Sequence, residues 1–281
     1  VPIAQLTGIA LAVAAAGAWG GSDFTGGYAS RRAGPLRVLA LSRLAGLACY
    51  AALAAASREA VPPAASMGWA GAAGLCGSLG IAALYAGLAS GRAALVVPTS
   101  GVIGAGIPVA FAAVIAGVLP IAQQLGLLTA LVGIFLVSFG EDSRSATRPS
   151  GLAFGVLAGI GFGAFFIFLG QIPPGQVFAP LTVAGGASFT AACALLLIAR
   201  TGFPSPARAP SALLAGALDA TGAVCYVLAL RWIRLDVAAV LSSLYPAITV
   251  LLFRVVARES VSRTQWVGLA ICVVAIALIV G

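Results

Sequence analysis

The chain has 281 residues, 61% of them hydrophobic and only 8% charged, against about 45–50% and about 25% in a soluble domain, so no water-soluble fold of this length could hide its apolar surface. The formal charge of +8 comes from arginine alone, without lysine or histidine, and these arginines stand mostly singly at the ends of apolar runs. That pattern excludes a basic nucleic-acid face with interleaved aromatics and fits anchors at lipid headgroups.

Breaks that are polar, proline-rich or arginine-bearing divide the chain into ten apolar runs, near 3–22, 37–57, 66–90, 93–117, 121–140, 150–170, 177–199, 211–231, 236–257 and 263–281. Each is long enough to span a bilayer as a helix. None shows the period-two alternation of a membrane barrel, and a helix satisfies its own backbone in lipid. The first run is read as a span and not as a signal peptide, because no basic segment precedes it and no small-x-small cleavage pattern follows. In span two, Arg43 is expected to be structural and to snorkel toward the nearer interface. Span four reads Val97-Pro98-Thr99-Ser100-Gly101 and continues to Pro108; span nine reads Leu241-Ser242-Ser243-Leu244-Tyr245-Pro246. Both combine helix breakers with hydroxyls, so both are expected to be interrupted near the midplane, where freed backbone groups meet a polar solute.

The polar stretch from Glu141 to Ser150 falls near the middle. Sliding the second half over the first by 142 residues aligns Gly74 with Gly216, Gly80 with Gly222, Arg92 with Arg234, Ser100 with Ser242, Phe111 with Phe253, Gln123 with Gln265 and Gly126 with Gly268. A shift of 143 aligns Gly20 with Gly163. Such registration marks a duplication. The expected organisation is a first five-helix repeat over residues 1–140, a polar linker over 141–149 and a second five-helix repeat over 150–281. With five spans each, the repeats enter the membrane from opposite sides, and the arginine bias of the loops reverses between the halves, as inverted repeats require. The arginine count puts the linker in the cytoplasm and both chain ends outside.

Span six carries Gly151, Gly155, Gly159 and Gly163 at four-residue spacing, a stripe for close helix packing. Span eight holds Asp219, read as the one deep carboxylate, with two readings: a contact for a coupling proton or a substrate amine, or an acid satisfied by Thr221 or an arginine. Glu259 beside Arg258 reads as an interfacial ion pair. Trp19, Tyr85, Phe162, Tyr226 and Tyr245 could wall a cavity, and with Thr99, Ser100, Ser242 and Ser243 they form the expected substrate-contacting set. The five cysteines stand singly inside apolar runs, and the acidic residues form no metal-ligand cluster, so neither a metal nor another cofactor is expected. Lysine's absence excludes a P-loop. An intramembrane enzyme would need histidine, paired carboxylates or a Ser/Lys dyad; a channel is a further alternative.

Trp19-Gly20, the segment Tyr226 to Arg231, Leu244-Tyr245-Pro246, Arg258-Glu259 and Gln265-Trp266-Val267-Gly268 together resemble the EamA-type branch of the drug/metabolite transporter superfamily. That resemblance implies an all-α integral membrane protein of ten transmembrane helices, built as two inverted five-helix repeats around a central cavity. It implies alternating access in the cell inner membrane and export of amino acids or other small metabolites; drug or organic-cation efflux is the alternative. Relatives usually keep both termini in the cytoplasm, opposite to the arginine count. The expected partners are the small-molecule substrate, the bilayer and coupling protons, with the chain acting as a monomer.

Overall fold

Gly34 and Pro35 set the first boundary. Gly34 takes φ +85°, a conformation that ordinary side chains resist, and its N–H closes onto the Ser30 carbonyl; Pro35 then starts the next helix at a position where no N–H is needed. Helix α1 therefore runs Ile3–Ala33, passing the expected end at residue 22 and placing Asp23 inside the helix. Its 31 residues extend about 46 Å, well beyond the roughly 30 Å hydrocarbon layer.

The computed structural model describes residues 2–89, 93–138, 150–173, 175–203, 205, 209–256, 258 and 261–280. The linker 141–149, Arg92 and Glu259 lie outside these residues, as do the side chains of Tyr85, Pro98 and Gly151. After α1 come α2 Pro35–Ala56, α3 Ala64–Ala89, α4 Ala93–Ala116, α5 Ile121–Ser138, α6 Ser150–Gly170, α7 Phe178–Ile198, α8 Pro210–Ala229, α9 Leu235–Ser242, α10 Tyr245–Val255 and α11 Arg263–Val280. Among the described residues, nine segments are long and apolar enough to cross a membrane, Leu235–Val255 counting as one, and Arg263–Ile279 is a shorter apolar tenth. Among the described residues the chain is all-helical, and it is a multi-span membrane protein.

The expected pair of interruptions is found only in the second half. Span nine breaks between α9 and α10 at Ser243-Leu244, and Pro246 occupies the first turn of α10, where its missing N–H leaves no bond unmade. Helix α4 is continuous instead. Two of its glycines are taken up in packing, Gly101 against Ile134 of α5 and Gly104 against Phe162 of α6, and packed neighbours let a membrane helix tolerate a proline such as Pro108.

Lipid tails are as apolar as leucine, so helices in a membrane associate through close van der Waals packing at small residues. These contacts come in pairs related by the shift of 142. A Cβ on Gly74 of α3 would run into the Ala184 carbonyl of α7, and one on Gly216 of α8 into the Ser42 carbonyl of α2. Gly80 faces Phe162 while Gly222 faces Trp19; Gly126 faces Ile279 while Gly268 faces Val137. Arg58 after α2 and Arg200 after α7 share φ 52°. Exchanging the halves likewise maps the α1–α8 contact onto the α6–α3 contact, and leaves α2–α7 and α5–α11 paired with themselves. The span-six stripe packs on α4, Gly155 against Thr99, Gly159 against Ile103 and Gly163 against Ile107.

Name the end of the bundle where α1 begins the terminus end, and the opposite end, reached by α5, the linker end. At the terminus end Arg234 donates to both Asp236 oxygens (3.2 and 2.9 Å) and to the carbonyls of Ala116 and Gly117 (3.1 and 2.6 Å), tying the end of α4 to the start of α9. Asp236 is almost wholly buried there. Glu59, in the α2–α3 loop, accepts from the N–H groups of Val177 and Ala179 (3.0 and 2.7 Å) and caps α7.

Gly216→Ala is expected to destabilise the bundle by about 1–3 kcal/mol through overpacking. Gly106→Ala, with no atom within 4 Å of the added carbon, should match or exceed the parent, since alanine is the better helix former. Thermal unfolding in detergent compares them; equal melting of both variants would contradict the paired close contacts.

Candidate functional site

Asp219 is the tenth of the twenty residues of α8, so its carboxylate lies near mid-membrane, where an ion needs a partner or water. Arg43 of α2 supplies the partner: Nη1 lies 2.7 Å from Oδ2, a short charge-assisted contact. Thr221 is engaged elsewhere, donating to the Ala217 carbonyl at 2.9 Å. Of the two readings of Asp219, the structure provides the arginine contact. Arg43 points across to α8 at this depth rather than out to an interface.

Helix α1 brings up a second acid. Asp23 lies within electrostatic reach of Asp219 and Arg43 and of Tyr245 at the start of α10; Tyr50 of α2 lies within reach of the same ion pair. Asp219 is therefore not the one deep carboxylate. Asp23 faces groups from α2, α8 and α10 and yet is exposed, a combination that suits a crevice wall. Among the described residues, no hydrogen bond or ion pair closes over its carboxylate. Two bonds hold α1 in register beside α8: Trp19 Nε1 donates to the Asp219 carbonyl at 3.2 Å and Ser22 Oγ to the Ala215 carbonyl at 2.9 Å. Next to the ion pair is a small cavity of about 30 Å³, lined by Arg43, Tyr50, Asp219 and Ser188 together with apolar residues. It has room for water but not for a larger solute.

Of the aromatic residues of the expected site, Trp19 and Tyr226 lie on the terminus side of this centre. Trp19 makes edge contacts with Phe165 and Phe166 at 6.1 and 5.6 Å, and Phe166 meets Tyr226 at 4.9 Å. Tyr226 is wholly buried and donates to the Phe166 carbonyl at 3.1 Å. Phe162 packs on Gly80 and Gly104. Ser242 and Ser243 are buried, and Ser242 donates to the Ala12 carbonyl at 3.2 Å. Ser100 is buried in α4, and Thr99 faces Gly155 across the α4–α6 contact. Tyr245 alone of the expected set approaches the charged centre; the side chain of Tyr85 lies outside the described residues. In this conformation Trp19, Tyr226, Ser242 and Ser243 form a packed seal, while Thr99 and Ser100 lie toward the linker end of α4.

Sequence reasoning passed over Asp23 because it was read as the polar end of span one. Its spacing held the signal: Asp23 follows Trp19 by four residues and shares its helix face, and the Gly34-Pro35 stop lies eleven residues further on.

Asp219→Asn leaves the Arg43 guanidinium at membrane depth without its short contact. The loss is expected to be about 1–3 kcal/mol, below the roughly 3–5 kcal/mol of a fully buried pair, because the two side chains keep 16% and 25% of their exposure. The double variant Arg43→Gln/Asp219→Asn should recover part of it. Melting temperatures of the three variants check this, and a single variant as stable as the parent would argue against the pair.

Residues 149–281 match the EamA-like transporter family. No curated protein matches the chain. Among solved structures, a crystal structure of a protein superposes with TM-score 0.73 over 99% of this chain and 98% of its own, at 19% identity. That likeness shows a common fold over the full length.

Proposed function

We propose that the protein is a secondary transporter of the EamA type in the drug/metabolite transporter superfamily, working in the inner membrane as two repeats, 1–140 and 150–281, joined by the linker 141–149. Its cargo is amino acids or similar small metabolites, which it exports by alternating access. The observation that carries this reading is a charged centre at mid-membrane with opposite surroundings on its two sides. Ionisable groups at this depth are costly and usually mark a solute path. Toward the terminus end, the Trp19, Phe165, Phe166 and Tyr226 cluster and the Arg234–Asp236 tie close the bundle; toward the linker end, the Asp23 side chain is exposed. A centre reachable from one side only is what alternating access needs, whereas a channel needs a continuous path.

A guanidinium and a carboxylate side by side suit a zwitterion, which brings one charge of each sign. The seal then has a role in the cycle: Trp19, Phe162, Tyr226, Ser242 and Ser243 would meet cargo once α9 and α10 move relative to α1, with the break at Ser243-Leu244 as hinge. Tyr85, Thr99, Ser100 and Tyr245 complete the proposed contact set. A second reading, efflux of organic cations, is favoured by the excess of acid, two carboxylates to one guanidinium.

Counterflow in proteoliposomes separates these readings. The expected result is saturable exchange of labelled amino acids, with no uptake of tetraphenylphosphonium; uptake of that cation alone would favour the second reading. Flux without counterflow would mark a channel and overturn both. Asp236→Asn, which weakens the tie at the terminus end, should change the rate of exchange more than the affinity for cargo, measured as maximal rate against half-saturation.

A further inference from the structure

The charged centre contains an asymmetry that the transport reading does not by itself explain. Of its two acids, Asp219 is committed: its carboxylate holds Arg43 at 2.7 Å and its backbone carbonyl accepts from Trp19. Asp23 has neither constraint. We propose that Asp23 is the cation-receiving group of the site, taking the protonated amine of a cargo that enters through an aqueous crevice from the linker end, while Asp219 serves as the fixed counter-ion of Arg43. This rests on the transporter reading and adds to it the residue, the chemical group and the side of entry.

The surroundings of Asp23 support each part. Arg43 faces it from α2, Asp219 from α8 and Tyr245 from α10, and Tyr50 lies within reach of the Arg43–Asp219 pair; the acid of α9, Asp236, is held by Arg234 at the terminus end. Two carboxylates, Asp23 and Asp219, face the one guanidinium of Arg43, and an excess of acid in a low-dielectric crevice attracts a cation. The entry side follows from α1. Below Asp23 toward the terminus end, Ala12, Ala15, Ala16 and Trp19 are buried. Above it, one turn toward the linker end on the same face, Gly27 leaves space: a carbon added there meets only the Phe253 ring edge, at 3.5 Å. Protons compete with an amine for a carboxylate, so affinity for the amine should fall as the linker side is acidified.

Gly27→Cys tests this on a background with the five native cysteines replaced by alanine, because position 27 lies four residues above Asp23 and the added sulfur has room. Two water-soluble methanethiosulfonates are compared in oriented vesicles, one carrying trimethylammonium and one sulfonate. The expected result is reaction from the linker side, with the cationic reagent favoured about tenfold relative to its rate on a free thiol. That preference should be lost in Asp23→Asn and on acidification, and kept in Asp23→Glu. No reaction at position 27 from the linker side, or an unchanged preference in Asp23→Asn, would overturn the proposal. Fluorescence-detected size exclusion of each variant confirms a folded bundle. The labelling requires no transport, so absence of counterflow in the parent protein would sink the transporter reading separately. Where the parent does exchange an amino acid, Asp23→Asn should raise its half-saturation at least tenfold, and an unchanged value would also count against Asp23.

Discussion

An arginine and an aspartate from helices 176 residues apart meet near the middle of this bundle. Taking two such ions out of water costs several kcal/mol each even after relaxation, and lipid offers nothing to offset it. Their burial therefore constrains what surrounds them. Helices α2 and α8 must come close, which Gly216 permits by laying its bare Cα against the Ser42 carbonyl. Helix α1 must hold its register beside α8, which the Trp19 and Ser22 bonds secure. Water must reach the centre from some direction, and we propose that it does so past Asp23.

The symmetry-related place, between α3 and α7, has no such ion pair. A shift of 142 takes Asp219 to Gly77 and Arg43 to Gly185, and Gly77 packs against Phe165 while Gly185 packs against Tyr50 and Leu47. Each repeat thus contributes one charge to the pair and, at the related place, one close-packed glycine. A separate asymmetry distinguishes span four from span nine: α4 is continuous and pinned on α6 by the glycine stripe, whereas α9 and α10 are parted at Ser243-Leu244. The pseudo-symmetric scaffold is shared, and the chemistry and the hinge belong to particular copies.

The repeat was legible in the sequence because duplication preserves small residues wherever two backbones touch. Gly74 and Gly216, or Gly126 and Gly268, recur at one shift because the same close contact recurs. The spans were legible because hydropathy alone distinguishes lipid from loop. What remained hidden were relations between distant segments. Arg43 was read as snorkelling because its partner lies in another repeat. Asp23 was read as a boundary because a charged residue usually ends an apolar run, whereas here Gly34 and Pro35 end it. The aromatic side chains were visible as residue types, but whether they wall a cavity or fill it depends on packing: Tyr226 finds its hydrogen bond in the Phe166 carbonyl and leaves no hydroxyl facing water.

The central claim is that the bundle is dry on one side of its charged centre and wet on the other, with the boundary inside α1 between Trp19 and Asp23. Single-cysteine scanning of residues 12–30 with a membrane-impermeant maleimide, applied from each side of sealed vesicles, tests it most directly. The account predicts a step along the inward face: inert from Ala12 to Trp19, reactive from Asp23 onward, and only from the linker side. Reactivity at Ala15 or Ala16 from the terminus side, together with an unreactive position 23, would contradict it.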